Sequence, residues 1–120
     1  MEQSNLSSNI VAYQEMATGS GAKINYANVR KAAMILRSIN HKLRQSIIKL
    51  LEERDRLTVT EIYVKLRVEQ SVASQHLAIL RRAEFVNTTR VGKNIHYTLN
   101  QERLDEVNVF IKQLLRNDNE

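Results

Sequence analysis

Four small or polar side chains near the start of one amphipathic segment have the chemistry needed to contact the edges of nucleic-acid bases. They are Ser71, Val72, Ser74 and Gln75. A glutamine amide can form two hydrogen bonds with adenine, a serine hydroxyl can donate or accept, and valine methyl groups can meet the methyl group of thymine. The alternative is that Ser71 only caps a helix and that the other three side chains are solvated.

Basic side chains around this segment have the charge needed to neutralise phosphate groups. The candidates for backbone or wing contacts are Gln70, Arg81, Arg82, Arg90 and Lys93, with Lys65 and Arg67 as weaker candidates. The net charge is +5, and the excess lies in the middle of the chain. Residues 25–53 carry six basic and two acidic side chains, and residues 54–100 carry eight and four. Since a surface arginine is often only solvated, these contacts depend on the fold that presents them.

Two short helices separated by a turn are predicted to position the base-contact candidates. Thr60 is expected to cap the first of them, after a short strand at residues 57–59. The second helix is expected to start near Gln70 or Ser71. Its inward face has the helical spacing of Ala73, His76, Leu77 and Leu80. The four candidates therefore fall on the outer side, as in a helix that enters a DNA major groove.

A β-hairpin is predicted over residues 86–99, because Ile95, Tyr97 and Leu99 alternate with polar residues at the period of a half-buried strand. Gly92-Lys93 suits the centre of a tight turn with glycine first. Helix, turn, helix and hairpin together predict a winged helix-turn-helix. The expected class is mainly α, with about five helices plus a two-stranded wing.

The first and last helices are predicted to form a dimer. Apolar residues at helical spacing run through residues 28–39 and through residues 101–116. Asn40 is expected to cap the second helix, and Asn100 is expected to cap the last one. The last stripe has the spacing of a coiled-coil seam, and no further chain follows to cover it. The expected interface residues are Val29, Leu36, Leu104, Val107, Phe110, Ile111 and Leu114. Packing of the last helix onto its own domain is the alternative.

Length and composition bound the remaining possibilities. The 120 residues suit one domain over residues 25–120, preceded by a flexible arm at 1–24, with no membrane span or secretory signal. The absence of cysteine excludes thiolate chemistry and fits a cytoplasmic protein. No phosphate loop or nucleophile motif occurs, and no histidine has a partner at metal-ligand spacing. We therefore expect no enzyme activity, no cofactor and no metal site.

The pattern resembles the ArsR/SmtB family of winged-helix repressors over roughly residues 30–115. The segment VEQSVASQHLAILRRAEFV, residues 68–86, is similar to the family's recognition segment, of the type L-S-Q-S-T-V-S-H-H-L-K-V-L-R-E-A-G-L-V. Residues 91–99, VGKNIHYTL, resemble its wing, which often reads R-x-G-R-x-x-Y-Y-x-L. The resemblance implies a homodimer, joined through its first and last helices, that binds an operator with twofold-related half-sites.

The chain departs from this family in its sensing residues. The family's box L-C-V-C-D-L is replaced by LTVTEI at residues 57–62, so both thiol positions are threonine, Thr58 and Thr60. Residues 101–120 contain no histidine for the second common metal site. Glu84 replaces the usual glycine after the recognition helix, and Lys42 replaces a proline. We expect regulation by an unknown small molecule or protein rather than by these metal routes.

Two function classes remain after this comparison. The first is a homodimeric repressor that binds a specific sequence of double-stranded DNA. The second is a winged-helix interaction module that no longer binds DNA and joins a partner through its last helix. Recognition of double-stranded RNA is a weaker third, because A-form RNA lacks a major groove wide enough for a helix.

Overall fold

A computed structural model of the chain describes residues 23–116. Within this range five α-helices and three β-strands follow one another. They are α1 (Tyr26–Ile39), α2 (Lys42–Arg54), β1 (Leu57–Thr58), α3 (Val59–Leu66), α4 (Gln70–Arg82), β2 (Val86–Val91), β3 (Asn94–Leu99) and α5 (Gln101–Leu115). The winged helix-turn-helix is confirmed. The predicted arm at residues 1–24 lies outside the described residues except for its last two.

The wing is part of a three-stranded antiparallel sheet with the order β1-β3-β2. In the register, Leu57 lies opposite Tyr97, and Val91 lies opposite Asn94 across the hairpin turn. Gly92 has a φ of 62°, a conformation that glycine adopts at little cost. The predicted two-residue turn at Gly92-Lys93 is therefore confirmed.

The core lies between α2, α3, α4, α5 and the sheet. Its buried residues are Ile47, Leu51, Leu57, Ile62, Leu77, Leu80, Phe85, Val86 and Val107. Phe85 is fully buried although it stands outside the helical stripe of α4. It directly follows Glu84, which has a φ of 69°. The N–H of Phe85 donates to the carbonyl of Leu80 and that of Glu84 to Arg81, a pair of bonds that ends α4 and turns the chain back into the core.

Two predicted helix caps are wrong. Asn40 ends α1 instead of starting α2, and the Nδ1 atom of His41 accepts the N–H of Leu43 at 3.1 Å. Thr58, not Thr60, caps α3, because the helix begins at Val59 directly after the strand. An N-cap residue must keep extended backbone, which a residue inside the helix cannot do. The Asn100 cap of α5 is confirmed.

The alternation predicted for β3 fails at the tip of the hairpin. Ile95 is 43% exposed. The short strand β1 pairs only with His96 and Tyr97, so at Ile95 the sheet has two strands, β2 and β3, instead of three. His96, expected to point outward, is half-buried and its Nδ1 atom has no hydrogen-bond partner among the described residues. The tip therefore projects from the body of the domain.

No helix within residues 23–116 combines the length and the apolar character required to cross a membrane.

Candidate nucleic-acid interface

Helix α4 has one buried face and one open face. Ala73, Leu77 and Leu80 are completely buried on the inner side. Ser71, Ser74 and Gln75 are exposed on the outer side, and Val72 is half-buried beside them. Burial of a leucine side chain stabilises a fold by about 1.5–3 kcal/mol. The two leucines therefore hold the helix firmly, with its polar side chains in solvent.

The start of α4 carries no side-chain cap. Its N-cap residue is Glu69, whose side chain makes no capping hydrogen bond, and Ser71 lies inside the first turn. The alternative that Ser71 serves only as a cap is therefore wrong. The first N–H groups of the helix remain available to an acceptor, and Gln70 is exposed next to them. Such a helix start suits a phosphate oxygen.

The turn before α4 is fixed by its backbone. Arg67 ends α3 in the left-handed conformation, with a φ of 57°. The N–H of Val68 then donates to the carbonyl of Tyr63 at 3.1 Å. At the other end of α3, Thr58 accepts the N–H of Glu61 at 3.2 Å, and the Glu61 carboxylate accepts the N–H of Thr58 at 2.8 Å. Both ends of α3 are thereby fixed, which holds α4 at a defined angle.

The hairpin tip is basic and exposed. Arg90 and Lys93 both face solvent, and residues 86–99 contain no acidic side chain. At the far end of α4, Arg81 and Arg82 are also exposed. Because they lie in the last turn, they also complement the negative end of the helix dipole, which is a structural role that needs no partner. Lys65 and Arg67 are exposed on α3 and in the turn that follows it.

A buried arginine ties α2 to the inner face of α4. Arg44 is 7% exposed and donates through Nε to the carbonyl of Ser38, through Nη2 to that of Arg37 at 3.3 Å, and through Nη1 to His76 Nδ1 at 2.9 Å. A guanidinium group only donates, so His76 must accept and is neutral with its proton on Nε2. Burial lowers the pKa of His76, and the charges of His41 and Arg44 lower it further.

The role of Arg44 was not predicted from the sequence. Its signal was present in the spacing, because Arg44 lies three and seven residues before Ile47 and Leu51, on the same helical face. His76 was expected to fill a packing role rather than to bind metal. In the structure its ring stacks 4.6 Å from that of His41, centroid to centroid, at a tilt of 40°.

The residues predicted for a dimer interface divide into three groups by their exposure. Val107 is 8% exposed and belongs to the core of its own chain, because it faces the body of the domain. Phe110 and Leu114 on α5 are 44% and 61% exposed, and Val29 on α1 is 51% exposed. Leu36, Leu104 and Ile111 are half-buried. An open apolar groove runs between α1 and α5, lined in part by Ala33, Leu36, Ile111 and Leu114.

Comparisons with known proteins agree with this geometry. Residues 41–88 match the family model described as "Bacterial regulatory protein, arsR family". The chain is 36% identical over 89 residues to the transcriptional activator HlyU of Vibrio cholerae, covering 74% of this chain and 79% of HlyU. It is 31% identical over 85 residues to the transcriptional repressor PagR of Bacillus anthracis, covering 71% and 85%.

A solved structure of a related protein has the same fold. The crystal structure of the transcriptional regulator HlyU from Vibrio vulnificus superposes with a TM-score of 0.53 at 31% sequence identity. The matched region is 71% of this chain and 90% of that protein.

Proposed function

The chain belongs to the ArsR family of bacterial regulatory proteins and is a DNA-binding transcriptional regulator; we therefore propose that it recognises a specific operator sequence as a homodimer and represses transcription. The relatives include an activator and a repressor by name. Repression is the simpler outcome for a domain of this size, since a dimer that covers a promoter excludes the polymerase. We also propose a cytoplasmic location, since the regulator must reach its operator DNA.

The observation that supports this proposal is the open outer face of α4. Ser71, Ser74 and Gln75 project from a helix whose opposite face is completely buried, so the helix enters a groove without rearranging its core. Hydrogen bonds from Gln75 and the serines would specify bases, and Val72 would meet a thymine methyl group. The exposed cations Arg81, Arg82, Arg90 and Lys93 would bind phosphates on either side.

The exposed apolar residues of α1 and α5 support the homodimer. Val29, Phe110 and Leu114 lie on the two terminal helices, outside the core. Side chains of this size are rarely left in contact with water as one continuous patch. In a twofold dimer the two copies of α4 would enter successive major grooves, with half-sites about 34–36 Å apart.

In vitro selection of DNA sites at moderate salt tests this proposal. We expect a pair of inverted half-sites separated by one helical turn. The double variant Ser74→Ala/Gln75→Ala should bind random DNA as tightly as the unchanged protein and lose the preference for the selected site. Each lost base contact lowers discrimination by about 1–3 kcal/mol. Recovery of random sequences, or no DNA binding at any salt concentration, would instead favour an interaction module.

We further propose that the regulator does not respond to metal through the two sites common in its family. The positions of the thiol ligands are Thr58 and Thr60, the chain contains no cysteine, and residues 101–120 contain no histidine. A neutral hydroxyl group is a poor ligand for the soft metals that thiolates bind. Operator affinity should therefore be the same with added zinc and with a chelator. A zinc-dependent change greater than threefold would contradict this part of the proposal.

A further inference from the structure

A groove between α1 and α4 combines apolar walls with a positively charged edge. Its volume is about 450 Å³, within the range of small-molecule sites. Met34 and Ile35 of α1 face Ile79 and Ala83 of the α4 end across the groove. Met34 is 60% exposed, so the walls are open to a ligand.

The charges around this groove are unbalanced. Lys31, Arg37, Arg44 and Arg82 line it, and none of the described residues that line it is acidic. Arg44 is buried, yet its three acceptors are two carbonyl groups and a neutral imidazole. These contacts use three of the five guanidinium N–H groups, so two have no protein acceptor within residues 23–116. A buried cation without a counter-charge is costly, and an anion would relieve that cost.

We propose that the groove binds a small organic anion, a carboxylate with an aliphatic or aromatic body, which acts as the effector of this regulator. The carboxylate lies among Arg37, Arg44 and Arg82, and the body packs against Met34 and Ile79. Arginine suits this role because its guanidinium binds a carboxylate through two parallel hydrogen bonds. The inference about an effector rests on the proposed DNA-binding function, whereas the binding of the anion does not.

The groove remains open in the proposed dimer. Met34 is five residues after Val29, which places the two side chains about 140° apart around α1. Val29 belongs to the dimer stripe, and Met34 and Lys31 lie on the other side of the helix. Met34 and Lys31 therefore stay accessible to a ligand when the second subunit covers Val29, whereas Arg37 borders both this groove and the apolar groove between α1 and α5.

The ligand would act on DNA binding through α4. Arg82 lies at the groove and is also one of the cations proposed to contact phosphate. A bound carboxylate that engages Arg82 removes it from the DNA, so ligand and operator oppose each other. By thermodynamic linkage the operator must weaken ligand binding by the same factor.

Isothermal titration calorimetry of the full chain with sodium decanoate, below its micelle concentration, tests the site. We expect one decanoate per chain, with 1-decanol and acetate binding at least tenfold more weakly, because each lacks one half of the proposed recognition. Met34→Asp should weaken decanoate binding at least tenfold, since it places a negative charge in the exposed wall. The matched control is Val64→Asp, which changes a side chain of similar exposure on α3, 62% exposed, and should leave binding unchanged.

Several results would overturn the site. No heat of binding at millimolar decanoate refutes it, and so does equal binding of decanol. An equal loss of decanoate affinity in Met34→Asp and Val64→Asp would mean that decanoate adsorbs to the protein as a detergent does. Unchanged decanoate affinity in Met34→Asp would mean that decanoate binds at another site. The effector role has its own readout, since decanoate should weaken operator binding at least fivefold. If decanoate binds the groove but leaves operator affinity unchanged, the effector role is refuted while the proposed DNA binding stands.

Discussion

The substitution Lys93→Gln tests both the wing contact and the dimer. Lys93 occupies the second position of the exposed two-residue turn, on a hairpin with no acidic side chain. The logarithm of DNA affinity falls with the logarithm of salt concentration with a slope of about −0.9 for each neutralised phosphate. A homodimer loses two contacts with this single substitution, so we expect the slope to become about 1.8 less steep. Between 50 and 200 mM salt, the variant should lose roughly tenfold less affinity than the unchanged protein.

Fluorescence anisotropy of a labelled operator duplex, measured over this range of salt, gives both slopes. Lys49→Gln is the matched control, because Lys49 is an exposed lysine on α2, outside the helix-turn-helix and the wing. Its slope should equal that of the unchanged protein. An equal change in both variants would mean that net charge, not a wing contact, sets the slope. A change of about 0.9 would mean that only one wing binds phosphate, which contradicts a symmetric complex.

Four further substitutions test the fold by thermal or urea unfolding. Glu84→Gly should stabilise the protein by about 1 kcal/mol, because it relieves the left-handed backbone after α4; a loss of stability would contradict the strain. Thr58→Ala should cost about 1 kcal/mol through the lost α3 cap, whereas Thr60→Ala should cost much less. The lowered pKa of His76 means that the unfolded chain binds its proton more readily. Stability should therefore fall as pH drops below about 6.5, and less so in His76→Gln.

Most of the fold could be predicted from the sequence because it follows from local periodicity. The spacing of Ala73, Leu77 and Leu80 predicts both the helix and its buried face, and the alternation after Gly92 predicts the hairpin. The exposure of Ser71, Ser74 and Gln75 follows from the same spacing, so the open face of α4 was also predictable. That these residues contact bases stays a prediction until DNA binding is measured.

What the sequence did not predict depends on contacts between distant segments. Arg44 and His76 are 32 residues apart, and neither a helical stripe nor a motif joins them. The burial of Val107 depends on how α5 packs against the rest of the domain. The spacing of the apolar residues along α5 does not specify that packing. Helix caps fail for a simpler reason. Each of these two helices has two residues near its start that can act as a cap. They are Asn40 and His41 for α2, and Thr58 and Thr60 for α3, and a shift of one or two residues in the helix start decides between them.

The capping of α3 bears on where a signal can act in this protein. Thr58 stands at the first thiol position of the box L-C-V-C-D-L in the family that this chain resembles. Its hydroxyl oxygen accepts the N–H of Glu61, and its own N–H donates to the Glu61 carboxylate. The hydrogen bond from the Thr58 backbone lowers the pKa of Glu61, so the carboxylate is ionised and the cap is intact at neutral pH. This segment therefore has a structural task here, since it starts the helix that packs against α4. The anion proposed for the groove beside Arg44 and Arg82 would instead contact α4 directly.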